Sequence, residues 1–302
     1  MAETATAPPA MQTRDFIYIT SELVVGFVSV FSNSVVLAVI CRTPRLHTVT
    51  NVFMGNLALA DVMVGISVAP CASLSYVGLP HNFYGCVFIN SILLMITNVS
   101  ILMLLAIAIE RFIAIKEPFL YERVLTIRRA IFVNIFVWVL GLSLGMVPLL
   151  GWNTGYHEIE YCKFLDVMTL EYMVYFQFFG LVLLPMSIML FIYLYIIIII
   201  QRHLRKSDAL GEQLHGKHLK SLFKKDVKSA KWLAMVNLLF GIFWLPINIL
   251  NCISLFCPQC QFPILFLLAA IVMSHANSCI NPFLYAASNS RIKRAIKEMI
   301  GL

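Results

Sequence analysis

The apolar stretches of the chain contain a few ionisable side chains that could do chemistry. Glu22, Asp61 and His275 each lie inside a run of hydrophobic residues, and the pair Glu110-Arg111 ends another run. Charged groups are disfavoured in an apolar interior, so each is a candidate functional residue. A buried carboxylate must take up a proton, pair with a cation or bind a metal ion. These residues therefore indicate ion binding and hydrogen bonding, and no catalytic constellation is found among them.

The composition predicts the environment in which these residues lie. Hydrophobic types make up 60% of the 302 residues and charged types only 12%, whereas about a quarter of a soluble domain is charged. This excludes a disordered chain, a collagen, a coiled coil, a small disulfide scaffold and an ordinary soluble enzyme. We predict an all-α membrane protein, because a bilayer removes the need for a polar surface.

Seven stretches are long and apolar enough to cross a bilayer. They cover approximately residues 16–41, 49–73, 84–110, 131–150, 172–200, 230–256 and 262–286. The run at 193–200 does not alternate as a barrel strand would, so the spans are predicted to be helices. The predicted fold is a seven-transmembrane helix bundle over 16–286, preceded by an extracellular N-terminus (1–15) and followed by a cytoplasmic tail (287–302).

The basic residues are distributed asymmetrically between the connecting segments. Of 22 Lys and Arg residues, only Arg14 and Lys163 fall on one side of the predicted bundle, which leaves 20 on the other. Basic loops stay in the cytoplasm, so we predict a multi-pass plasma-membrane protein with its N-terminus outside. The basic segment 201–231 is expected to face cytoplasmic partners and anionic lipid, and its middle to be a solvated loop.

The tail has an amphipathic pattern. Apolar residues recur there at helical spacing with basic residues between them; they are Ile292, Ala295, Ile296, Met299 and Ile300. This pattern predicts a short helix lying on the lipids of the inner leaflet. A frayed basic tail is the alternative.

Four of the eight cysteines fall in the predicted extracellular segments. Cys86 opens the third span and Cys162 lies in the second outer loop, and an oxidising exterior permits a bond between them. Cys257 and Cys260 form the motif CPQC in the third outer loop. A small local disulfide is favoured there over a metal or redox site, because the loop is short and holds no other cysteine.

Asp61 has no Lys or Arg predicted at its depth in the bundle. Neutral oxygens could come from Ser100, Asn277 and Asn281. Two interpretations remain open: a sodium ion that acts as an allosteric modulator, or a protonated Asp61 within a hydrogen-bonded core network. No other cofactor is predicted.

Glu22 and His275 both lie in the outer halves of their spans. If the first and seventh spans are neighbours, the two side chains can pair, either to support a binding site or only to brace the helices.

Prolines inside the fifth, sixth and seventh spans remove backbone hydrogen bonds and bend those helices. Helices bent in this way can change their angle, which suits a protein that switches between two conformations.

Taken in order, these features resemble the rhodopsin-like (class A) G-protein-coupled receptors. The matching residues are Asn33, LALAD (57–61), Glu110-Arg111-Phe112, Trp138, Pro185, Tyr193, Phe243-Trp244-Leu245-Pro246 and Asn281-Pro282-Phe283-Leu284-Tyr285. The resemblance implies a heterotrimeric G protein as partner, no nucleic acid and no enzymatic activity. It also implies that Glu110 and Arg111 pair to close the cytoplasmic mouth, and that Tyr193, Pro246 and Tyr285 take part in opening it.

A narrower resemblance is to the adenosine receptors. It is carried by LLAIAIERFIAI (104–115), GWN (151–153), EYMVYF (171–176), FWLPINILNC (243–252), CPQC (257–260) and SHANS (274–278). The resemblance implies a pocket for adenosine built from Phe164, Asn251, Ser274, His275, Glu22, Thr97, Leu93, Met173, Trp244, Ile247 and Ile271.

The chemistry of these residues suits a nucleoside. An amide such as Asn251 carries a donor and an acceptor, so it can bind the adenine edge with two hydrogen bonds. Phe164 can stack on the ring face. Ser274 and His275 can bind ribose hydroxyls, with Glu22 fixing the tautomer of the imidazole.

Two departures narrow the resemblance further. Leu165 stands where the family often has Glu, and Asn248 where several members have His. Both departures are similar to subtype three, whereas CPQC and ILNC are closer to subtype one. This implies inhibitory coupling that lowers cyclic AMP, with stimulatory coupling as the alternative. A nucleoside-like, lipid or orphan ligand also stays open, and a channel or transporter would need a polar stripe or repeats that the sequence does not show.

Overall fold

A computed structural model describes residues 12–209, 214–288 and 290–299. All regular secondary structure in these ranges is helical. Most of the predicted N-terminal segment lies outside the described residues, as do Ile300 and the side chains of 203–233.

Seven of the described helices are long and apolar enough to cross a membrane, and an eighth follows them. They are α1 (Thr13–Arg42), α2 (Val49–Tyr76), α3 (Phe83–Lys116), α4 (Ile127–Gly145), α5 (Tyr172–Leu183 and Leu184–Ala209), α6 (Leu214–Phe256), α7 (Ile264–Ser288) and α8 (Ser290–Met299). The predicted seven-transmembrane helix bundle with a C-terminal helix is confirmed.

Three helix ends differ from the prediction. The fourth span was expected to reach residue 150, but α4 ends at Gly145 and turns follow it. Pro148 and Gly151, whose φ is +122°, lie in these turns and disfavour a continuing helix. The loop expected in the middle of 201–231 is shorter than predicted, because α5 extends to Ala209 and α6 begins at Leu214; residues 210–213 lie outside the described part of the chain. Lysine and arginine have high helix propensity, which favours this extension.

Helix α3 is the central element of the bundle. It packs against α2, α4 and α5, and the ring closes as α5 packs on α6, α6 on α7, and α7 on α1. Leu57, Ile101 and Ile107 are among the fully buried residues of the main core. This order brings α1 beside α7, which is the arrangement that pairing of their polar residues requires.

Glycines allow α4 to lie directly on α3. Gly141 and Gly145 are one turn apart on α4, and a Cβ at Gly145 would lie 2.3 Å from the backbone nitrogen of Met95. Small residues permit this kind of close approach between membrane helices. The contact therefore depends on the missing side chains.

The two ends of the bundle differ in chemistry. At one end, called here the disulfide end, Cys86 is bonded to Cys162, and Cys257 to Cys260. The first bond holds the loop between α4 and α5 against the first turn of α3. The opposite end, called the basic end, contains Arg111 and helix α8.

Helix α8 is amphipathic, as predicted. Ile292 is fully buried against the main core, with Ala295 and Ile296 packed beside it. The exposed cations of the helix are Arg291, Lys293, Arg294 and Lys297. The apolar face was expected to rest on lipid, but its first residue packs instead into the bundle, because α8 lies against α1 and α7.

Candidate functional site

Helices α1 and α7 are joined by a buried pair of polar side chains near the disulfide end. The Nδ1 atom of His275 lies 2.8 Å from Glu22 Oε2. Glu22 is completely buried and His275 is 6% exposed. The carboxylate can accept only a proton on Nδ1, so it selects the imidazole tautomer whose Nε2 is left for another partner.

A small cavity of about 10 Å³, roughly the space of one water molecule, lies beside this pair. Its polar and aromatic lining residues are Thr97, Ser100, Phe240, Trp244, Ser274, His275, Asn277 and Ser278. The Oγ of Ser274 donates to the carbonyl of Ile271 at 2.7 Å. The structure thus brings together residues predicted for the ribose side of a pocket and residues predicted around Asp61.

The other predicted pocket residues do not line this cavity. Phe164 begins a short helix, Phe164–Val167, and packs with Met173 in the cluster around Cys86 and Cys162. Leu93 packs against a separate small cluster containing Val64. Three further residues are partly buried on α6 and α7; they are Ile247, Asn251 and Ile271.

Asp61 is completely buried in α2. Its Oδ2 accepts a 2.7 Å hydrogen bond from Asn281, and its Oδ1 has no hydrogen-bond partner. The Oγ of Ser100 is also buried and unpartnered. These are hard oxygen donors of the type that alkali and alkaline-earth ions prefer. In the described part of the chain, no group of three His, Cys, Asp or Glu residues is placed to hold a metal ion.

A second charged network lies at the basic end. Arg111 forms hydrogen bonds to Glu110 and to the hydroxyl of Thr50. Glu110 also accepts from Thr50 at 2.9 Å and from Tyr121 at 2.7 Å. Burial, and then the Glu110 carboxylate, raises the pKa of Tyr121 to about 12. The Tyr121 hydroxyl therefore stays protonated as a donor at neutral pH.

The three other predicted switch residues lie between these networks. Tyr193 on α5 and Tyr285 on α7 are buried in the main core. Pro246 lies inside α6 two residues after Trp244, whose ring stacks on Phe240 at a centroid distance of 5.9 Å. The proline and the aromatic stack therefore lie in the same part of α6.

Comparison with known proteins identifies a family of seven-helix receptors. The family described as "7 transmembrane receptor (rhodopsin family)" matches residues 32–285. The chain belongs to this family. It is a receptor and not an enzyme.

Adenosine receptors are among its relatives. Adenosine receptor A2a of Homo sapiens is 37% identical over 299 residues, which cover 94% of this chain and 72% of that protein. Adenosine receptor A2a of Equus caballus is 38% identical with the same coverage. Adenosine receptor A2b of Homo sapiens is 35% identical, covering 96% of this chain and 91% of that protein. The receptor therefore shares its family with adenosine receptors, and the likeness expected to subtypes three and one is not shown by these relatives.

The structure of the receptor also contains polar contacts that the sequence did not predict. Gln177 of α5 donates a 2.7 Å hydrogen bond to Asn98 of α3, and both side chains are buried. The Nδ2 of Asn33 donates to the carbonyl of Ser278, and Ser29 donates to the carbonyl of Asp61. Each of these contacts involves a neutral amide or hydroxyl inside an apolar span. Such residues could have indicated the contacts, but a search for ionisable groups overlooks them.

Proposed function

We propose that this receptor binds adenosine at the disulfide end of the bundle. The observation that carries the proposal is the single cavity shared by Thr97, Ser274 and His275, with Glu22 holding the imidazole from behind. Two hydroxyls and an imidazole nitrogen are complementary to the hydroxyls of ribose. The adenosine receptors among the relatives support the nucleoside over a lipid ligand.

The base of the ligand is assigned to the remaining predicted residues. Asn251 binds the adenine edge with two hydrogen bonds, and Phe164 stacks on the ring. The apolar walls are Leu93, Met173, Trp244, Ile247 and Ile271. The cavity is too small for this full set to contact one ligand, so we infer that the bundle opens at the disulfide end when the ligand enters.

The proposed partner is a heterotrimeric G protein of the stimulatory class. Inhibitory coupling was inferred from a likeness to subtypes three and one, whereas the relatives described above are A2a and A2b receptors. The stimulatory alternative is therefore the better supported one. Binding of the agonist raises cyclic AMP in this proposal.

Signalling is proposed to be a shift between a closed and an open bundle. In the closed state Glu110 and Thr50 hold Arg111 at the basic end, and Tyr121 donates a further hydrogen bond to Glu110. In the open state α6 swings about Pro246 and releases Arg111 to the G protein, while Tyr193 and Tyr285 move inward. An agonist acts by binding the open state more tightly.

The disulfide end is proposed to face the outside of the cell. An oxidising exterior preserves both disulfides, and the basic residues concentrate on the opposite side, as expected for a cytoplasmic face. An epitope tag at the N-terminus should be stained on intact cells, whereas a tag at the C-terminus should require permeabilisation. The reverse pattern would exclude an extracellular N-terminus.

A sodium ion is proposed as an allosteric modulator. Asp61 and Ser100 would hold it through their unpartnered oxygens, with amide oxygens from Asn277 or Asn281. The positive charge would compensate the buried carboxylate. Replacement of sodium by choline should raise the agonist affinity of the native receptor and leave the agonist affinity of Asp61→Asn unchanged. If the affinities of both receptors respond equally to sodium, the proposed sodium site is wrong.

The decisive experiment is cyclic AMP measurement in cells that express the receptor, with and without adenosine. We expect a rise that Asn251→Ala abolishes. Ser254→Ala, one turn further along α6, is the matched control, because its hydroxyl only bonds the carbonyl of Leu250. A fall in cyclic AMP would support adenosine as the ligand and contradict stimulatory coupling. No change in cyclic AMP, with the receptor present at the cell surface, would contradict adenosine as the ligand.

A further inference from the structure

The buried face of α1 carries more polar groups than the pair with α7 requires. Tyr18 lies one turn before Glu22 on this face and is 5% exposed. At this i, i+4 spacing the side chains of Tyr18 and Glu22 are neighbours on the same face of the helix. Glu22 Oε1 is the carboxylate oxygen that His275 does not use, and it has no partner at hydrogen-bonding distance.

Tyr18 is itself held from the neighbouring helix. The rings of Tyr18 and Tyr76, at the end of α2, have centroids 4.5 Å apart. The hydroxyl of Tyr76 donates to Asp15 Oδ1 at 2.6 Å. The other oxygen, Asp15 Oδ2, accepts from the backbone N–H of Gln12, which caps α1. Tyr76 of α2 therefore contacts α1 at two residues, Tyr18 and Asp15.

These contacts form a continuous series across three helices. Asp15 bonds Tyr76, whose ring packs on Tyr18. Tyr18 lies one turn from Glu22 on the buried face of α1, and Glu22 bonds His275. A carboxylate with one oxygen free of hydrogen bonds can rotate away from its imidazole partner. The phenol of Tyr18 is the group placed to prevent that rotation.

We propose that Tyr18 is a positioning residue for the binding site, and that Tyr76 and Asp15 hold it in place. The inference deepens the proposed function and rests on it. Tyr18 keeps the Glu22 carboxylate on Nδ1 of His275, so that Nε2 faces the ribose hydroxyls as an acceptor. Tyr18 itself does not touch the ligand.

The test compares adenosine with 2′,3′-dideoxyadenosine, which lacks the two hydroxyls assigned to Ser274 and His275. Tyr18→Phe should weaken adenosine binding about tenfold, as expected when a buried acceptor oxygen loses the polar group beside it, and leave binding of the dideoxy analogue unchanged. Tyr76→Phe should act in the same direction by about threefold, because the ring contact remains. Equal losses for both ligands, or no loss for either, would overturn the proposal.

The matched control is Tyr84→Phe. It removes the same hydroxyl from an exposed ring at the disulfide end that stacks on Tyr156, outside the series of contacts. We expect unchanged affinity for both ligands. A loss equal to that of Tyr18→Phe would assign the effect to any phenol at this end and overturn the proposal.

A second readout separates this inference from the identity of the ligand. Receptor labelled with ¹⁵N-histidine, without ligand, should show one Nδ1-protonated tautomer for His275, assigned by comparison with His275→Asn. In Tyr18→Phe the Nε2-protonated form should appear beside it. An unchanged signal would overturn the positioning role. If adenosine does not bind the native receptor but the tautomer still shifts, the proposed function fails and the positioning role stands.

Discussion

At the scale of single residues, the receptor concentrates its buried polar groups into a few networks. Asp61, Glu22 and Glu110 are each almost completely buried, and each accepts at least one hydrogen bond. In an apolar interior an isolated carboxylate is strongly disfavoured, so the partner of each one determines its charge and orientation.

Glu110 should restrain basal activity. Glu110→Gln removes the charge that holds Arg111 and weakens the bonds from Thr50 and Tyr121. A loss on the order of 1–2 kcal/mol from the closed state changes a two-state ratio by about five- to thirtyfold. We expect cyclic AMP to rise without ligand in cells with matched surface expression.

Tyr121→Phe is the graded control for this prediction. It removes one neutral donor from Glu110 and leaves the bond with Arg111, so its basal signal should lie between those of the native receptor and Glu110→Gln. Basal activity of Glu110→Gln equal to that of the native receptor would contradict the closed-state role.

At the scale of helices, the bundle depends on close backbone contacts and on short segments that hold loops in place. Small residues bring α4 onto α3, and α2 onto α1 where Gly65 meets Gly26. Helix α8 packs on the bundle through the buried Ile292, with Ala295 and Ile296 beside it. In a bilayer such packing replaces the hydrophobic effect that holds soluble helices together.

Gly145→Ala should destabilise the receptor. The new Cβ would lie 2.3 Å from the nitrogen and 2.4 Å from the Cα of Met95, so α4 must move away from α3. We expect a loss of about 1–3 kcal/mol, seen as a lower melting temperature of purified receptor in detergent.

Gly180→Ala on α5 is the matched control, because the nearest atom to its new Cβ would be 3.8 Å away. Its melting temperature should be unchanged or slightly higher, since alanine favours helix over glycine. Equal melting temperatures for both variants would show that the α3–α4 contact tolerates a methyl group.

Ile292→Ala should loosen helix α8. Ile292 is fully buried in the main core, and removal of such a side chain costs about 2–5 kcal/mol, more than a ten-residue helix can supply alone. Amide hydrogen exchange over 290–299 should become faster, while Lys297→Ala, on the exposed face, should leave it unchanged. Unaltered exchange in Ile292→Ala would mean that lipid, not the bundle, holds the helix.

At the scale of the whole molecule, covalent and electrostatic features fix the two ends of the bundle differently. The Cys86–Cys162 bond joins residues 76 positions apart, whereas Cys257–Cys260 joins residues three apart. A bond that closes a long loop constrains the unfolded chain more than a bond that closes a short one. The first bond should therefore matter for the architecture of the binding site, and the second only for a local turn.

Cys86→Ser should reduce both surface expression and ligand affinity. Loss of the bond releases the segment that holds Phe164, and we expect a loss of about 2–4 kcal/mol of stability. Cys257→Ser should leave expression and affinity within twofold of the native receptor. The prediction fails if saturation binding on cells finds the two variants alike.

The sequence by itself determined the number, type and order of the membrane helices. The length of each apolar run is set by the bilayer thickness, so no tertiary information is needed to locate it. The motifs around Asp61, Arg111 and Pro246 then indicated the receptor family, because order and spacing survive in a linear chain. The ends of α4 and α6 were less predictable, since helix ends depend on local turns and on helix propensity.

Only the tertiary structure decided which polar groups meet. Glu22 and His275 are 253 positions apart, and Asn98 and Gln177 are 79 apart; these pairs exist because α1 packs on α7 and α3 on α5. Tyr18 and Tyr76 gave no signal of their own in the sequence, since aromatic residues at helix ends are common in membrane proteins. Helix rotation and close packing place a side chain within 3 Å of its partner, and no pattern within one segment records the rotation of another.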